Sequence, residues 1–429
     1  MRCIAVCIIV FPVLLLGQIS WTEHIIDTDF DFASCVTAID VDGDGDMDIL
    51  GTAHDDGVVA WWENDGNENF SKHTVANDFN GAYCVHAIDI DGDDDVDMIG
   101  ASDLDGLIAW WENDGNEDFT YHALTPLCNS ASACQGIDVE PDGDVDIFAS
   151  DHDAGGIFWW QNDGNENFTY DTVGVGFAGA LGIHACDLNG DNSVDVLTAG
   201  MFTHSIAWWE NDGSENFTER TVVSGFTNAR SVYAANIDGD ADIDVLGTAL
   251  GMNRLSWFEN DGNENFTQHI IDNNLLSATA VCAADMDDDG DIDIVGAAYL
   301  GNEFAWYEND GYENFTKHAI AVYDTGAISV FVADVDSDGD LDVLGAAAVV
   351  DEITWWESDV VGVAEGGNNV IQSEQVFSTI VTGRIQLPDD RSFKLYDITG
   401  REVHSANPAP GIYFIEADGE ITQKIIKVR

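Results

Sequence analysis

Positive charge is what this chain lacks. Only 13 of its 429 residues are Lys or Arg, against 81 Asp or Glu, and the formal net charge is −68. A surface this acidic repels phosphate backbones and anionic lipid, which argues against nucleic acid and bare membrane as partners. Long apolar runs are missing as well. After residue 17 no segment reaches the length of a transmembrane helix, so no membrane span is expected in the mature chain. Helical periodicity is absent too. No unit of the chain carries an insertion large enough to build a deep pocket, and no nucleophile motif occurs, which weighs against an enzyme.

The few basic residues are unevenly placed. Residues 1–359 hold 6 Lys/Arg against 72 Asp/Glu, and residues 360–429 hold 7 against 9. Two domains of different character are therefore expected, with a boundary near residue 360. Residues 1–17 read as a signal peptide: Arg2 gives a short basic start, and Cys3–Leu16 is apolar but too short to span a bilayer comfortably. Cys3 and Cys7 leave with it. Of the six remaining cysteines, Cys128 and Cys134 flank one loop and are placed to close a disulfide, as export would permit. Cys35, Cys84, Cys186 and Cys282 read as small buried side chains.

What the chain has in abundance is repetition. Asp40, Asp89, Asp138, Asp187, Asn236, Asp285 and Asp334 are spaced 49 residues apart, and Trp61, Trp110, Trp159, Trp208, Trp257, Trp306 and Trp355 keep the same period. A fixed period of this size means units that bury their apolar faces only against their neighbours. Each unit reads as four short strands. In residues 70–118, alternation over Phe70–Val75, an apolar stretch at Tyr83–Ile88, and short runs at Met98–Ser102 and Leu107–Trp111 are divided by Gly/Asn/Asp loops and an Asp-Gly turn. Seven such units predict an all-β fold, a seven-bladed β-propeller over residues 21–359. Trp21–Ile25 matches the outer strand that the last unit lacks, so the N-terminal segment is expected to close the seventh blade and remove an open edge. The recurring aromatic pairs, Trp61-Trp62 through Trp355-Trp356, read as packing between blades. His24, His73, His122, His269 and His318 occupy one equivalent strand position and read as scaffold rather than a catalytic set.

Each unit also carries a nine-residue acidic loop with oxygen side chains at positions 1, 3, 5 and 9. These are Asp40, Asp42, Asp44 and Asp48; Asp89, Asp91, Asp93 and Asp97; Asp138, Glu140, Asp142 and Asp146; Asp187, Asn189, Asp191 and Asp195; Asn236, Asp238, Asp240 and Asp244; Asp285, Asp287, Asp289 and Asp293; and Asp334, Asp336, Asp338 and Asp342. Hard oxygen ligands on alternating residues of a tight loop suit Ca²⁺, which accepts six to eight oxygens in flexible geometry. Up to seven ions, one per blade, are expected, in a structural rather than a catalytic role. Position 7 is expected to give its main-chain carbonyl, since Ser193 serves there in place of Asp, and the apolar residue at position 8 to pin the loop to the core. Ala241 and Asp94 at position 6, and Glu140-Pro141 in the third loop, mark the fifth, second and third loops as the ones expected to be weak or distorted.

These loops, each followed by an Asp-Ile-Leu-Gly-like strand such as Asp48–Gly51 or Asp342–Gly345, resemble the FG-GAP/VCBS repeats of the integrin α-subunit propeller. The resemblance covers residues 21–359. It implies calcium on the face carrying the acidic loops and ligands on the opposite face. The literal Phe-Gly and Gly-Ala-Pro signatures are degenerate, Gly345-Ala346-Ala347 being about the closest, so a bacterial VCBS-type member fits better than an integrin.

The tail has strand-like stretches at Phe393–Val403, Pro410–Ile415 and Gln423–Arg429 with an Asp418-Gly419 hairpin turn, and reads as a small β-sandwich. It resembles the C-terminal sorting domain of the type IX (Por) secretion system, with residues 360–372 as linker and 373–429 as the domain. The resemblance implies contact with the secretion machinery and a protein that is secreted or held at the outer membrane or cell surface.

The leading expectation is a non-enzymatic, calcium-binding adhesion or binding module, monomeric, that meets an extracellular protein or glycan on the face opposite the calcium loops. That face carries His54-Asp55-Asp56, Asp103-Leu-Asp105 and Asp151-His-Asp153 in the first three units, and more apolar residues in the last three. The rival expectation is a propeller-fold polysaccharide lyase or glycosidase, with His54, His152 and the nearby carboxylates as acid and base.

Overall fold

A computed structural model describes residues 18–140, 142–322 and 326–361, together with the strands Ser378–Thr382, Phe393–Asp397, Gly411–Ala417 and Glu420–Val428. The signal peptide inferred above lies outside the described residues, as do the linker after Val361 and most of the proposed sorting domain. The chain divides into two compact units, Met1–Val363 and Ala364–Arg429. No helix among the described residues is long and apolar enough to cross a membrane.

The first unit is built from seven four-stranded antiparallel sheets, six of them each contributed whole by one 49-residue repeat. In blade one the strands run Ala33–Ile39, Asp48–Ala53, Val58–Asn64 and Phe70–Ala76 from the innermost outward. The innermost strand of every blade touches its counterparts in the two adjacent blades, and that of blade seven touches that of blade one. The seven sheets therefore form a closed ring around a central channel: a seven-bladed β-propeller.

Blade seven supplies only three strands of its own, and Gln18–Asp27 adds the fourth, antiparallel to Glu352–Val361. His24 pairs with Trp355 as His73 pairs with Trp61 in blade one, so the terminal strand takes the register of the others. Adjacent Trp residues point to opposite sides of their strand. Trp62 packs with Phe30, Ile328 and Trp355 on the blade-seven side, and Trp61 packs with Phe79, Val85 and Trp111 on the blade-two side. Each indole thus serves one of the two interfaces of its blade, which is why an aromatic pair recurs.

The repeated histidines stack on the first tryptophan of each pair, with ring centroids 4.3 to 4.6 Å apart, and their Nε2 lies 2.7 to 2.8 Å from a Glu on the neighbouring strand. Blade four has Arg220 there, paired with Glu210, and blade three has Asp171 and Gln161, which avoids opposing two carboxylates.

Cys128 and Cys134 are both free thiols, which corrects the expected disulfide. Cys134 is buried on the innermost strand of blade three, its Sγ 3.7 Å from the Ile99 carbonyl oxygen. Cys128 holds the loop position that Phe79 and Phe30 hold one and two repeats earlier, where those rings pack edge-on against Trp111 and Trp62. Each thiol fills a packing site of its own.

The four strands of the second unit form one sheet in the order first, fourth, third, second. The first and fourth are parallel and the other pairs antiparallel. The second layer of the expected sandwich is not among the described residues.

Candidate functional site

Each acidic loop joins the innermost strand of its blade to the second, so all seven lie on one face of the ring. In six of the loops the chain turns because positions 4 and 6 adopt left-handed backbone: Gly43 and Gly45 have φ of 73° and 99° in the first loop. At position 1, Asp40 accepts hydrogen bonds from the Gly43 and Gly45 amides at 2.8 and 3.0 Å. At positions 3 and 5, Asp42 Oδ1 and Asp44 Oδ1 each accept from the amide two residues on. Their second oxygens are left for another partner.

Position 9 is the most deeply set. Asp48, Asp97, Asp146, Asp195, Asp244, Asp293 and Asp342 are fully buried. Asp48 accepts from the Val41 amide through Oδ2 and from the Asn64 amide through Oδ1, both at 2.8 Å. Sequence reading missed this second partner. Asn64 recurs as Asn113, Asn162, Asn211, Asn260 and Asn309, and the recurrence was the available signal. Its Nδ2 donates to the Met47 carbonyl and, at 3.1 Å, to the Val335 carbonyl of the neighbouring blade's loop. The asparagine is replaced only in the last repeat, where Ser358 donates its amide to Asp342 instead.

The anchoring differs from expectation at one point. The apolar residue at position 2 (Val41, Ile90, Val139, Leu188, Ile237, Met286, Val335) is buried, whereas Met47 at position 8 is only half-buried. Position 2 continues the innermost strand into the space between blades and is the main pin. The Asp46 side chain at position 7 lies against the turn after the third strand, so close that a Cβ on Gly66 would clash with its carboxylate. Asp95, Asp144, Asp242 and Asp291 repeat this contact at Gly115, Gly164, Gly262 and Gly311.

The electrostatics are those of carboxylates crowded and withdrawn from water. Desolvation pushes the position 9 carboxyls up to about 7, or about 8 for Asp146, against the hydrogen bonds that favour their charged form. Asp91, Asp287 and Asp336 at position 3 rise to about 6, with neighbouring loop carboxylates adding to desolvation.

Asp40, Asp42 and Asp48 each offer an oxygen within 4.8 Å of the others, as do Asp89, Asp91 and Asp97, and Asp285, Asp287 and Asp289. Asp138 Oδ1, Asp287 Oδ1 and Asp334 Oδ1 are buried without any hydrogen-bond partner. A carboxylate oxygen in that state is costly unless something cationic meets it. The donor set is all oxygen, and the residues present therefore fit a hard divalent cation.

Two atypical loops depart from this pattern. Ala241 adopts φ 87° where the first, third, sixth and seventh loops place Gly at position 6. A side chain there is strained. Ala241→Gly should stabilise the protein by about 1 kcal/mol, which for a domain of this size raises the melting temperature by roughly 1–2 °C. Differential scanning calorimetry checks it, and an unchanged or lower melting temperature would contradict the strain. In the third loop, Glu140 Oε1 accepts from Gln161, and Asp146 lacks the second amide bond its counterparts have, leaving Oδ2 buried and unpartnered.

The opposite face is built from the loops that enter the innermost strand and follow the second. His54 lies between two carboxylates, with Nδ1 2.6 Å from Asp55 and Nε2 3.0 Å from Asp103 of the next blade. The hydrogen bond to Asp103 is the main reason its pKa rises to about 9. At neutral pH it is an imidazolium that links blades one and two, with no lone pair to act as a base. His152 contacts Asp153 at 3.0 Å and packs edge-on against Phe202.

The channel mouth lies on this face. Every innermost strand begins with a buried Ala (Ala33, Ala82, Ala131, Ala180, Ala229, Ala278, Ala327), and the residue after it changes from blade to blade: Ser34, Tyr83, Ser132, Leu181, Arg230, Thr279, Ile328. Ser34, Ser132 and Thr279 donate to the alanine carbonyl of the next blade. Arg230 instead reaches across the channel and donates from Nη2 to the Tyr83 hydroxyl at 3.0 Å. Beside them is a cavity of about 160 Å³ bordered also by Asp103, Ser130, His152 and Met201. Sequence reading found His54 and His152 but not Arg230 or Tyr83, which are three repeats apart and meet only through the ring.

Solved structures share this architecture. The virginiamycin B lyase of Staphylococcus aureus, crystallised with quinupristin as a catalytically inactive form, superposes with a TM-score of 0.57 at 14% identity, over 79% of this chain and 99% of that one. A streptogramin B lyase gives 0.57 at 14% identity, over 80% and 98%. The WD40 propeller domain of Doa1 gives 0.58 at 11% identity, over 80% and 97%. At these identities the likeness is one of fold. No curated protein matches the sequence. Residues 40–100, 138–198, 187–247, 238–296 and 285–345 each match the FG-GAP-like repeat, together more than half of the chain, and the protein belongs to the FG-GAP-like repeat family.

Proposed function

We propose that this protein is a non-enzymatic binding module whose acidic loops hold Ca²⁺ and whose ligand, an extracellular protein or glycan, docks at the channel mouth on the opposite face. A propeller of FG-GAP-like repeats fits a binding module. The observation that carries the proposal is the internal contrast among the repeats. The alanine that opens each innermost strand is the same in all seven blades, while the residue after it differs and, at Tyr83 and Arg230, borders a cavity. Scaffold positions repeat because every blade needs them, whereas a ligand meets each blade at a different point of its own surface.

The chemistry of the mouth suits a polar ligand with an acidic or hydroxylated group. Arg230 makes no ion pair with any described residue, although Asp103 borders the same cavity, and it keeps donors for a ligand oxygen. The loops are best suited to calcium because their donors are carboxylate oxygens on alternating residues of a tight turn. For the tail, the four-stranded sheet and near-neutral charge are compatible with a sorting domain that takes the protein to the cell surface or the medium.

The test is a glycan and protein array screen of the mature full chain in millimolar calcium, followed by Arg230→Ala. Loss of one charge-assisted contact should weaken binding of the identified ligand about tenfold to a hundredfold without changing the melting temperature. A ligand held equally well by Arg230→Ala would move the site away from the channel mouth. Release of shortened or unsaturated sugar products would favour the lyase or glycosidase reading.

A further inference from the structure

The rim between blades one and two carries an aromatic cleft of about 480 Å³, bordered by Ala76, Asp78, Phe79, Leu107, Trp111 and Tyr121. It is separate from the channel mouth and from the acidic loops. What belongs in it can be read from the same place in other blades.

One repeat earlier, the counterpart of Tyr121 is Lys72 and the counterpart of Ala76 is Asp27. Lys72 Nζ lies 4.5 Å from the Phe30 ring centroid and 5.5 Å from that of Trp62, and 2.8 Å from Asp27 Oδ2. Phe30 and Trp62 correspond to Phe79 and Trp111, and both pairs meet edge-on with centroids 5.1 Å apart. The cleft of blade one is thus filled from within by an ammonium group held over aromatic faces and neutralised by a carboxylate. Blade six repeats the device. Lys317 Nζ lies 5.7 Å from the Tyr307 ring centroid and 3.1 Å from Asp272, the counterpart of Asp27.

In blade two both halves of the plug are gone. Ala76 has no carboxylate, and Tyr121 is a half-exposed ring 5.8 Å from Trp111 rather than a cation. The aromatic walls remain, and Asp78 stands at the edge. Ammonium groups over such faces are stabilised by the ring quadrupole, more so when partly desolvated. The negative field of the propeller would further concentrate cations at its surface.

We propose that this cleft binds an alkylammonium group, supplied by a lysine side chain of a polypeptide partner, in the place that Lys72 and Lys317 fill in their own blades. An aliphatic stem would lie along Leu107 and Phe79, with the ammonium between the Trp111 and Tyr121 rings and Asp78.

The experiment is calorimetric titration of the full chain, in calcium and 0.15 M salt, with acetyl-Gly-Lys-Gly-amide, its Nε-acetyl-lysine form and 1,5-diaminopentane. The lysyl peptide should bind, and acetylation, which removes the charge, should weaken it at least tenfold. Two variants follow from the repeats. Ala76→Asp restores the missing carboxylate and should tighten the peptide several-fold. Ala76→Asp with Tyr121→Lys rebuilds the self-filled cleft of blade one at unchanged net charge and should weaken it at least tenfold. The opposite signs separate occupancy of the cleft from damage to the fold, and the melting temperature is read alongside. Diaminopentane binding more tightly than the peptide would assign the cleft to free polyamines and overturn the polypeptide source. No binding of the peptide, equal binding of its acetylated form, or equal binding by the double variant would overturn the site itself.

Discussion

Chelating calcium should lower the melting temperature of this protein by roughly 10–15 °C, and adding it back should restore it. Extracellular calcium modules bind at roughly 10⁻⁴–10⁻³ M. At about tenfold excess over such a constant, each site adds about 1.4 kcal/mol by mass action, and seven sites approach about 10 kcal/mol, comparable to the stability of an ordinary domain. The dependence on pH gives the experiment a sign. The position 9 carboxyls titrate near 7 when folded and metal-free, against about 3.9 for Asp in an unfolded chain. Between those values the folded chain holds protons that the unfolded chain has released, so stability falls as pH rises through the window. His54, raised to about 9, acts in the same direction. His86 and His184, which burial depresses to about 4, oppose it below their ordinary pKa but are two groups against the seven position 9 carboxyls. In chelator the melting temperature should therefore fall from about pH 5 to about pH 8. In calcium that slope should flatten or reverse, because the ion displaces the protons. Equal melting in chelator and calcium would remove the structural role of the ions.

Deleting residues 18–27 should make the protein aggregate. The segment pairs with the third strand of blade seven over nine residue pairs from Gln18↔Val361 to Asp27↔Ile353. It covers that blade with the His24 ring stacked 4.3 Å from Trp355 and bonded to Glu357 at 2.7 Å. Ile19, Trp21 and Ile26 pack against the clusters on both sides of the blade. Without the strand, an edge of unpaired amides and carbonyls beside two tryptophans faces solvent, a template for intermolecular pairing. The ring also loses its only covalent link across the junction of blades seven and one. Size-exclusion chromatography and thermal melting of the deletion variant would check this. A monomeric variant with unchanged melting would show that the ring does not depend on its terminal strand.

Much of the architecture was legible in the residues, and the reason is periodicity. A side chain needed at one place in a blade is needed in all seven, so Trp61 recurs six more times and Asp40 five, with Asn236 in the remaining repeat. Strand positions, blade number and the acidic loops follow from that repetition. The anchoring of the loops was legible less well. Position 2 and position 8 are both apolar in every repeat, and composition does not say which one continues the innermost strand into the space between blades. The Asn64 series is visible as a recurrence but its role is not, because its bonds run to a buried Asp sixteen residues back and to a carbonyl of the neighbouring blade. Cys128 and Cys134 were close in sequence, and only their separate packing shows that closeness did not mean pairing.

By itself the sequence determined the all-β repeat, the number of blades, the acidic face and the asymmetry of charge between propeller and tail, because each is a local or periodic property of the chain. The tertiary structure alone decided the meeting of Arg230 with Tyr83 and the open cleft beside Tyr121. Arg230 and Tyr83 are 147 residues apart, and which strands face each other across a channel depends on the curvature of the closed ring. The cleft exists because Ala76 and Tyr121, on adjacent blades, together leave unfilled the volume that Asp27 and Lys72 occupy one repeat earlier. Local sequence sets what each position offers, but volume and contact between blades belong to the packed ring.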